Sequence, residues 1–164
     1  MNSKKQSIKA TNLNYEAVLL KAKELAFDAL FTKMPISFYW MDRNGILLGC
    51  NDKVLQDLKV DGLENYIGKH SNDNSNKEAW ENSRQVIESG KPHTYEEEHI
   101  DMEGNKIIYL SIKHPLIGES GEVKGLLGVS IDITQRKQEE KLQILAKNLA
   151  EKANAAKAEF LYLS

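Results

Sequence analysis

Four histidines (His70, His93, His99, His114), one cysteine (Cys50) and a run of three glutamates (Glu96 to Glu98) are the residues of this 164-residue sequence whose types invite chemistry. His93, Glu97 and His99 share one side of a strand-like segment, which is the composition of a metal site. Three such positions on an extended strand nevertheless span ~20 Å and cannot converge on one ion, so no metal site is predicted. The glutamate run reads as a solvated strand surface. Cys50 has no second cysteine with which to form a disulfide or a C-x-x-C motif. It is read as a small core residue in a reducing, cytoplasmic setting. There is no G-x-S-x-G elbow and no G-x-x-x-x-G-K-[ST] phosphate loop. No catalytic residue is therefore assigned, and the chain is not expected to be an enzyme.

Positioning any such residues falls to a core that glycine and proline mark out. All ten Gly and all three Pro lie between residues 35 and 128. Both kinds of residue punctuate turns and break helices, so the sequence predicts a turn-rich core between two helical flanks. A start expected to be disordered covers 1–13. A flanking helix over 14–34 has Asn14 as its N-cap and Val18, Ala22, Leu25 and Ala29 at helical spacing, and Pro35 ends it. The rear flank, 135–164, has six Ala and no breaker. Leu142, Leu145, Leu149, Ala153, Ala156, Phe160 and Leu163 recur along it at steps of 3, 4, 4, 3, 4 and 3. That is a coiled-coil stripe with one stutter, and it predicts pairing with a second copy of the chain.

Inside the core, strands 36–41 and 46–50 flank the turn Asp42-Arg43-Asn44-Gly45. A short helix (53–58), a polar loop (70–76) and a longer helix (77–89, anchored by Trp80, Val86 and Ile87) follow. Three long strands, about 92–102, 106–116 and 123–133, complete it. Two strands, small helices, one longer helix and three strands fit an antiparallel α+β sheet with helices on one face. Composition agrees with a globular module: 41% of residues are hydrophobic and the net charge is −2, which argues against a nucleic-acid binder and against a disordered activator. No stretch of about 18 apolar residues occurs, so neither export nor a membrane crossing is expected.

This order of elements resembles the PAS domain over residues 30–134. The resemblance is carried by the D-x-x-G hairpin (Asp42 to Gly45), by Asn51 opening the first core helix, and above all by GLLGVSIDITQRK, with Asp132-Ile133-Thr134 at the end of the last strand. It implies a PAS fold over 35–134, with a five-stranded antiparallel sheet of order 2-1-5-4-3. The helix-covered face of that sheet would hold a small-molecule pocket, and the opposite face would pack on a flanking helix or a partner.

Alternation assigns Phe38, Trp40, Ile108, Leu110, Ile112, Leu127, Val129 and Ile131 to the apolar face, which the N-terminal helix is expected to cover. Ser37, Tyr39, Met41, His99, Tyr109, Ser111, Gly128 and Ser130 fall on the other. A few polar groups in an apolar surround are the usual form of a ligand site. The pocket candidates are therefore Tyr39, Met41, His99, Tyr109, Ser111 and Ser130, with Trp80 from the covering helix.

PAS domains take flavin, haem, small acids and other ligands. The segment YIGKHSNDNS lacks the cysteine of the flavin-photoadduct class, and residues 77–89 offer neither His nor Met to haem. Both cofactors are disfavoured, and the ligand's identity does not follow from the sequence. Asp132, Thr134 and Gln135 are the expected relay junction, with Asp132-x-x-Gln135 at capping-box spacing. The run Lys157-Ala158-Glu159-Phe160-Leu161, with Ser164, is similar to the entry into the dimerisation and phosphoacceptor helix of sensor histidine kinases. That implies a longer parent, an ATP-dependent histidine kinase of two-component signalling whose His and ATP-binding domain are absent here. The expected partners are a second copy of the chain, through the C-terminal helix and the N-terminal helix, and a small ligand. A response regulator would bind only the kinase region, and neither nucleic acid nor membrane is expected. A ligand-free interaction scaffold and another effector, such as a diguanylate cyclase, are the alternatives.

Overall fold

The computed structural model describes residues 2–74 and 77–164, and the side chains of 2–13 and of residue 74 are outside that description. The chain runs α1 (Asn2–Lys33), β1 (Ser37–Asp42), β2 (Leu47–Cys50), α2 (Asp52–Leu58), a 3-10 turn (Leu63–Asn65), α3 (Ser71–Asn74), α4 (Lys77–Ser89), β3 (His93–Ile100), β4 (Lys106–Ile117), β5 (Val123–Asp132) and α5 (Thr134–Leu163). The five strands form one sheet of order β2-β1-β5-β4-β3, and every pairing is antiparallel. The expected α+β class and strand order therefore hold.

Both tight hairpins use one device. In the turn from Asp42 to Gly45, the Asp42 carboxylate accepts the amides of Asn44 (2.8 Å) and Ile46 (2.9 Å). In the turn from Asp101 to Gly104, the Asp101 carboxylate accepts those of Glu103 (2.9 Å) and Asn105 (2.7 Å). The glycine closing each turn has a left-handed backbone, with φ of +85° and +86°, which a side chain would resist.

Between the hairpins, α4 presents Ala79, Ser83, Val86 and Ile87 to the sheet, the i, i+4, i+7, i+8 spacing of a helix with one buried face. Of the expected anchors, Val86 and Ile87 are buried, and Trp80 packs half-buried against the core. The core gathers Met41, Leu47, Cys50, Val54, Tyr66, Val86, Ile87 and Leu126 between the sheet and α2 to α4. Burial, followed by the charge of Asp52, pushes the Cys50 thiol up to about 11, so it packs as an inert apolar group.

The flanks depart from expectation. Helix α1 spans Asn2–Lys33, so over the described residues 2–13 the expected disordered start, and with it the N-cap at Asn14, gives way to one continuous helix, because nothing before Pro35 breaks it; residue 1 lies outside the described residues. Nor does α1 cover the apolar sheet face. Residues 14–30 are exposed, and the helix meets the sheet at its last turn, where Phe31 and Trp40 lie 5.6 Å apart. Val18, Leu19, Leu20, Leu25, Phe27 and Leu30 point around the helix rather than along one stripe, so no single side can lie on a sheet. Phe38, Trp40, Leu110, Ile112, Leu127 and Val129 are left half-buried within the single chain. Helix α5 projects from the sheet with no buried residue.

Candidate functional site

The pocket-side face of the sheet is built in rows. Strand register sets Ser37 opposite Ser130, Ser130 opposite Ser111, and Ser111 opposite Tyr95. The neighbouring row runs Tyr39, Gly128, Lys113. Serine and glycine at the centre of these rows make the sheet floor recede. A Cβ at Gly128 would overlap the Tyr39 ring, so glycine there lets Tyr39 lie across β5. Above this depression sit α2 to α4, and between the two layers a cavity of about 50 Å³ remains.

Of the sequence-predicted pocket residues, Tyr39, Met41, His99, Tyr109 and Ser130 line the cavity. Ser111 lies just beneath, its hydroxyl 3.1 Å from that of Ser130. Trp80 is turned away from the cavity and packs edge-on against His70 at 4.6 Å, because α4 directs Ala79 and Ser83 inward and position 80 sideways. Ser37, Leu47, Val54, Leu58, Tyr66, Ser71, Ala79, Ser83 and Lys113 complete the lining.

Lys113 is the residue that sequence reasoning missed. Its side chain is 1% exposed and its ammonium lies 2.9 Å from the equally buried Glu97 carboxylate. Nζ also lies within hydrogen-bond distance of Ser83 Oγ (2.9 Å), the Ala79 carbonyl (3.1 Å) and the Tyr39 hydroxyl (3.3 Å). Glu97 accepts in addition from Asn82 (2.9 Å), and His99 Nε2 stands 3.8 Å from its second oxygen. Burial pushes the Glu97 carboxyl up, but His99, Lys113 and Asn82 together outweigh that and hold it at about 2. Burial likewise disfavours the Lys113 ammonium, yet the oxygens of Tyr39 and Glu97 keep it above its usual range. The pair is therefore ionised across neutral pH. The glutamate run is thus not a uniform solvated surface: its middle member is a core ion.

Two phenols of the cavity lining, Tyr66 and Tyr109, are held protonated. Tyr66 is raised first by burial. Tyr109 is raised by burial and then by the charges of Asp57 and Asp132. The Asp57 carboxylate accepts from Ser37 Oγ at 2.9 Å and pairs with Lys53. The cavity therefore presents neutral hydroxyls and one neutralised ion pair on an apolar wall of Met41, Leu47, Val54 and Leu58. Among the described residues no group of His, Cys, Asp and Glu could hold a metal ion.

The cavity wall runs directly into α5. The Ile108 amide, next to the lining residue Tyr109, donates to Thr134 Oγ1 (2.9 Å), and the Ile133 amide returns to the Ile108 carbonyl (2.8 Å). Asp132 accepts the Thr134 amide at 2.8 Å. The expected capping box does not form, because Ile133 occupies the N-cap position and Gln135 bonds to Glu139 along the helix instead (2.9 Å). Lys137, in the first turns of α5, reaches Glu96 on β3 (2.8 Å). The residues of the expected stripe, Leu142, Leu145, Leu149, Ala153, Ala156, Phe160 and Leu163, are all exposed in the single chain.

A five-stranded antiparallel sheet with a polar-tipped cavity under its helices and a long helix leaving its last strand defines an α+β module with an enclosed cavity. A family model described as "PAS fold" matches residues 31–138, and the chain belongs to the PAS family. No curated protein matches it significantly. Among solved structures, it is similar to the PAS domain of a protein from Colwellia psychrerythraea (20% identity, TM-score 0.59, covering 71% of this chain and 98% of that one). It is similar also to an RNA-binding light-oxygen-voltage receptor (14%, TM-score 0.61, covering 77% of this chain and 38% of that one). A third likeness is to Vibrio cholerae VqmA in a complex with ligand and DNA (22%, TM-score 0.59, covering 67% and 51%). The chain thus spans well under two thirds of the receptor and of VqmA. These identities carry the fold.

Proposed function

We propose that this chain is the sensory PAS module of a sensor histidine kinase in two-component signal transduction, with no catalysis of its own. Occupancy of the cavity shifts β4 and β5 and changes how two α5 helices pair. The observation that carries this reading is the continuity between cavity wall and helix: Tyr109 lines the cavity, and the amide of its neighbour Ile108 holds Thr134 at the start of α5. A ligand can act on the helix only through different affinity for two helix arrangements. The exposed stripe from Leu142 to Leu163 supports pairing of two copies, and the stutter between Leu145 and Ala153 is where two packings would come closest in energy. The resemblance of the run from Lys157 to Leu161 to a kinase entry segment supports the effector. VqmA offers a PAS relative captured with a ligand.

The near-neutral charge favours neither nucleic acid nor an anionic membrane as partner, and a response regulator would meet only the kinase region. No helix among the described residues is long and apolar enough to cross a membrane, and a cytoplasmic site of action fits the single reduced cysteine.

Native mass spectrometry of freshly purified protein tests the sensing claim: a retained small molecule supports it, and its absence across several preparations favours scaffolding. The small cavity, about 50 Å³, is the observation that favours the second reading, a PAS scaffold whose pocket is filled by its own side chains. The effector is tested by the sequence continuing from Ser164: a His in an H-[DE]-x-R-T-P context supports the kinase, and a cyclase domain replaces it with another output.

A further inference from the structure

We propose that the cavity takes a small uncharged molecule bearing a hydrogen-bond acceptor such as an amide carbonyl, which docks on the Lys113 ammonium in the place now held by the Tyr39 hydroxyl. The inference rests on the sensory reading above and names the chemistry of its ligand.

Charge sets the first limit. Lys113 and Glu97, 2.9 Å apart and each 1% exposed, cancel one another. The other groups facing the cavity are neutral hydroxyls, the His99 imidazole and hydrocarbon. A carboxylate ligand would bury a second negative charge against one ammonium, and a cationic ligand the reverse; each leaves a buried ion without a full partner. Glu97 cannot make way for an incoming anion, since it is fixed on β3 and held by Asn82 at 2.9 Å.

The docking point follows from counting protons. An ammonium has three N–H groups, yet four oxygens surround Nζ: Glu97 and Ser83 at 2.9 Å, the Ala79 carbonyl at 3.1 Å and Tyr39 at 3.3 Å. Ala79 is held by the α4 backbone. Ser83 is tied to the Ala79 carbonyl at 2.9 Å. Tyr39 is the most distant of the four; its ring packs on the core across Gly128, and its hydroxyl is the weakest of the four contacts to Nζ. It is the oxygen that an incoming carbonyl replaces at least cost, and its departure enlarges the cavity.

Size sets the last limit. A cavity of about 50 Å³ holds about four waters or a molecule of about six non-hydrogen atoms.

The test measures binding of 2-pyrrolidinone, butyrate and pyrrolidinium, matched in size but neutral, anionic and cationic, to the full chain by titration in ligand-observed NMR at millimolar concentrations. The expected order is 2-pyrrolidinone about tenfold tighter than either ion. Lys113→Met should lose the binding. Tyr39→Phe should tighten it severalfold, because the competing hydroxyl is gone; a merely structural role for that hydroxyl would leave affinity unchanged or lower. If Lys113→Met does not fold, Tyr39→Phe decides alone, since it keeps the ring. Butyrate or pyrrolidinium binding as tightly as 2-pyrrolidinone, or unchanged or weaker binding in Tyr39→Phe, overturns the proposal and leaves the cavity a ligand site. Binding of none of the three overturns the proposal as well, while the sensory reading itself stands or falls on the retained molecule sought by native mass spectrometry.

Discussion

Removing Lys113 should destabilise the domain more than removing it together with Glu97's charge. Lys113→Met leaves the Glu97 carboxylate buried, 1% exposed, with Asn82 and a distant His99 as its remaining partners. Breaking a buried pair in this way costs about 3–5 kcal/mol. Out of a total stability of about 5–15 kcal/mol, that is a large share. In Lys113→Met/Glu97→Gln the buried charge is gone, while the amide oxygen still accepts from Asn82. Ser83 already donates to Ala79, so few groups are orphaned. The double variant should therefore recover about 2–3 kcal/mol relative to the sum of the singles, well beyond the ~0.5 kcal/mol within which independent sites add. Urea unfolding followed by tryptophan fluorescence, with all four proteins at one pH and salt concentration, reads the cycle. Additive costs, or a Lys113→Met cost under about 1 kcal/mol, the range of exposed pairs, would refute the claim that the pair is a desolvated unit inside the cavity wall.

The same pair predicts a pH dependence. Because the folded-state value for Glu97 lies below the unfolded one, its stabilisation is whole above about pH 4.5 and is lost as pH falls towards about 2. Lys113 is raised, so its contribution is whole below 10.5 and lost at higher pH. Glu97→Gln should flatten the acid limb of the stability profile in urea titrations at stepped pH, and an unchanged limb would contradict the assignment. Thr134→Val removes the acceptor of the Ile108 amide. It should cost about 1 kcal/mol and raise hydrogen exchange at Ile108 and the first turn of α5 while leaving β1 and β2 protected. Leu149→Asp places a charge in the exposed stripe and should shift the chain towards monomer in sedimentation velocity at matched concentration; an unchanged profile would remove the α5 pairing.

Much of this arrangement was legible because period-2 alternation and turn chemistry are local. The D-x-x-G turn, the five strands, their order through the family resemblance, and the hydroxyl-bearing face holding Tyr39, Tyr109, Ser111 and Ser130 all came from short stretches of sequence. Glu97 and Lys113 did not. Three adjacent glutamates look like a solvated surface, and a single Lys in a strand looks like an exposed one. Each, however, sits at even spacing from residues assigned to the pocket, Glu97 two before His99 and Lys113 two after Ser111. Opposite charges on one inward face were the signal available. Trp80 packs on the core but falls outside the cavity lining, because the 3.6-residue period of α4 turns Ala79 and Ser83 towards the cavity instead. The path of α1 relative to the sheet was not legible, since its apolar residues follow no single stripe.

The central claim is that cavity occupancy changes α5 pairing. Nitroxides placed at Lys147→Cys on both chains, with Cys50 buried and unlabelled, report the α5 to α5 distance by double electron-electron resonance. The comparison is between protein as purified and the same protein unfolded in urea, dialysed and refolded to strip any retained molecule. The account predicts two distinct distance distributions, with the purified form restored when the dialysate is added back. One unchanged distribution, in protein that native mass spectrometry shows to have lost its retained molecule, would contradict it.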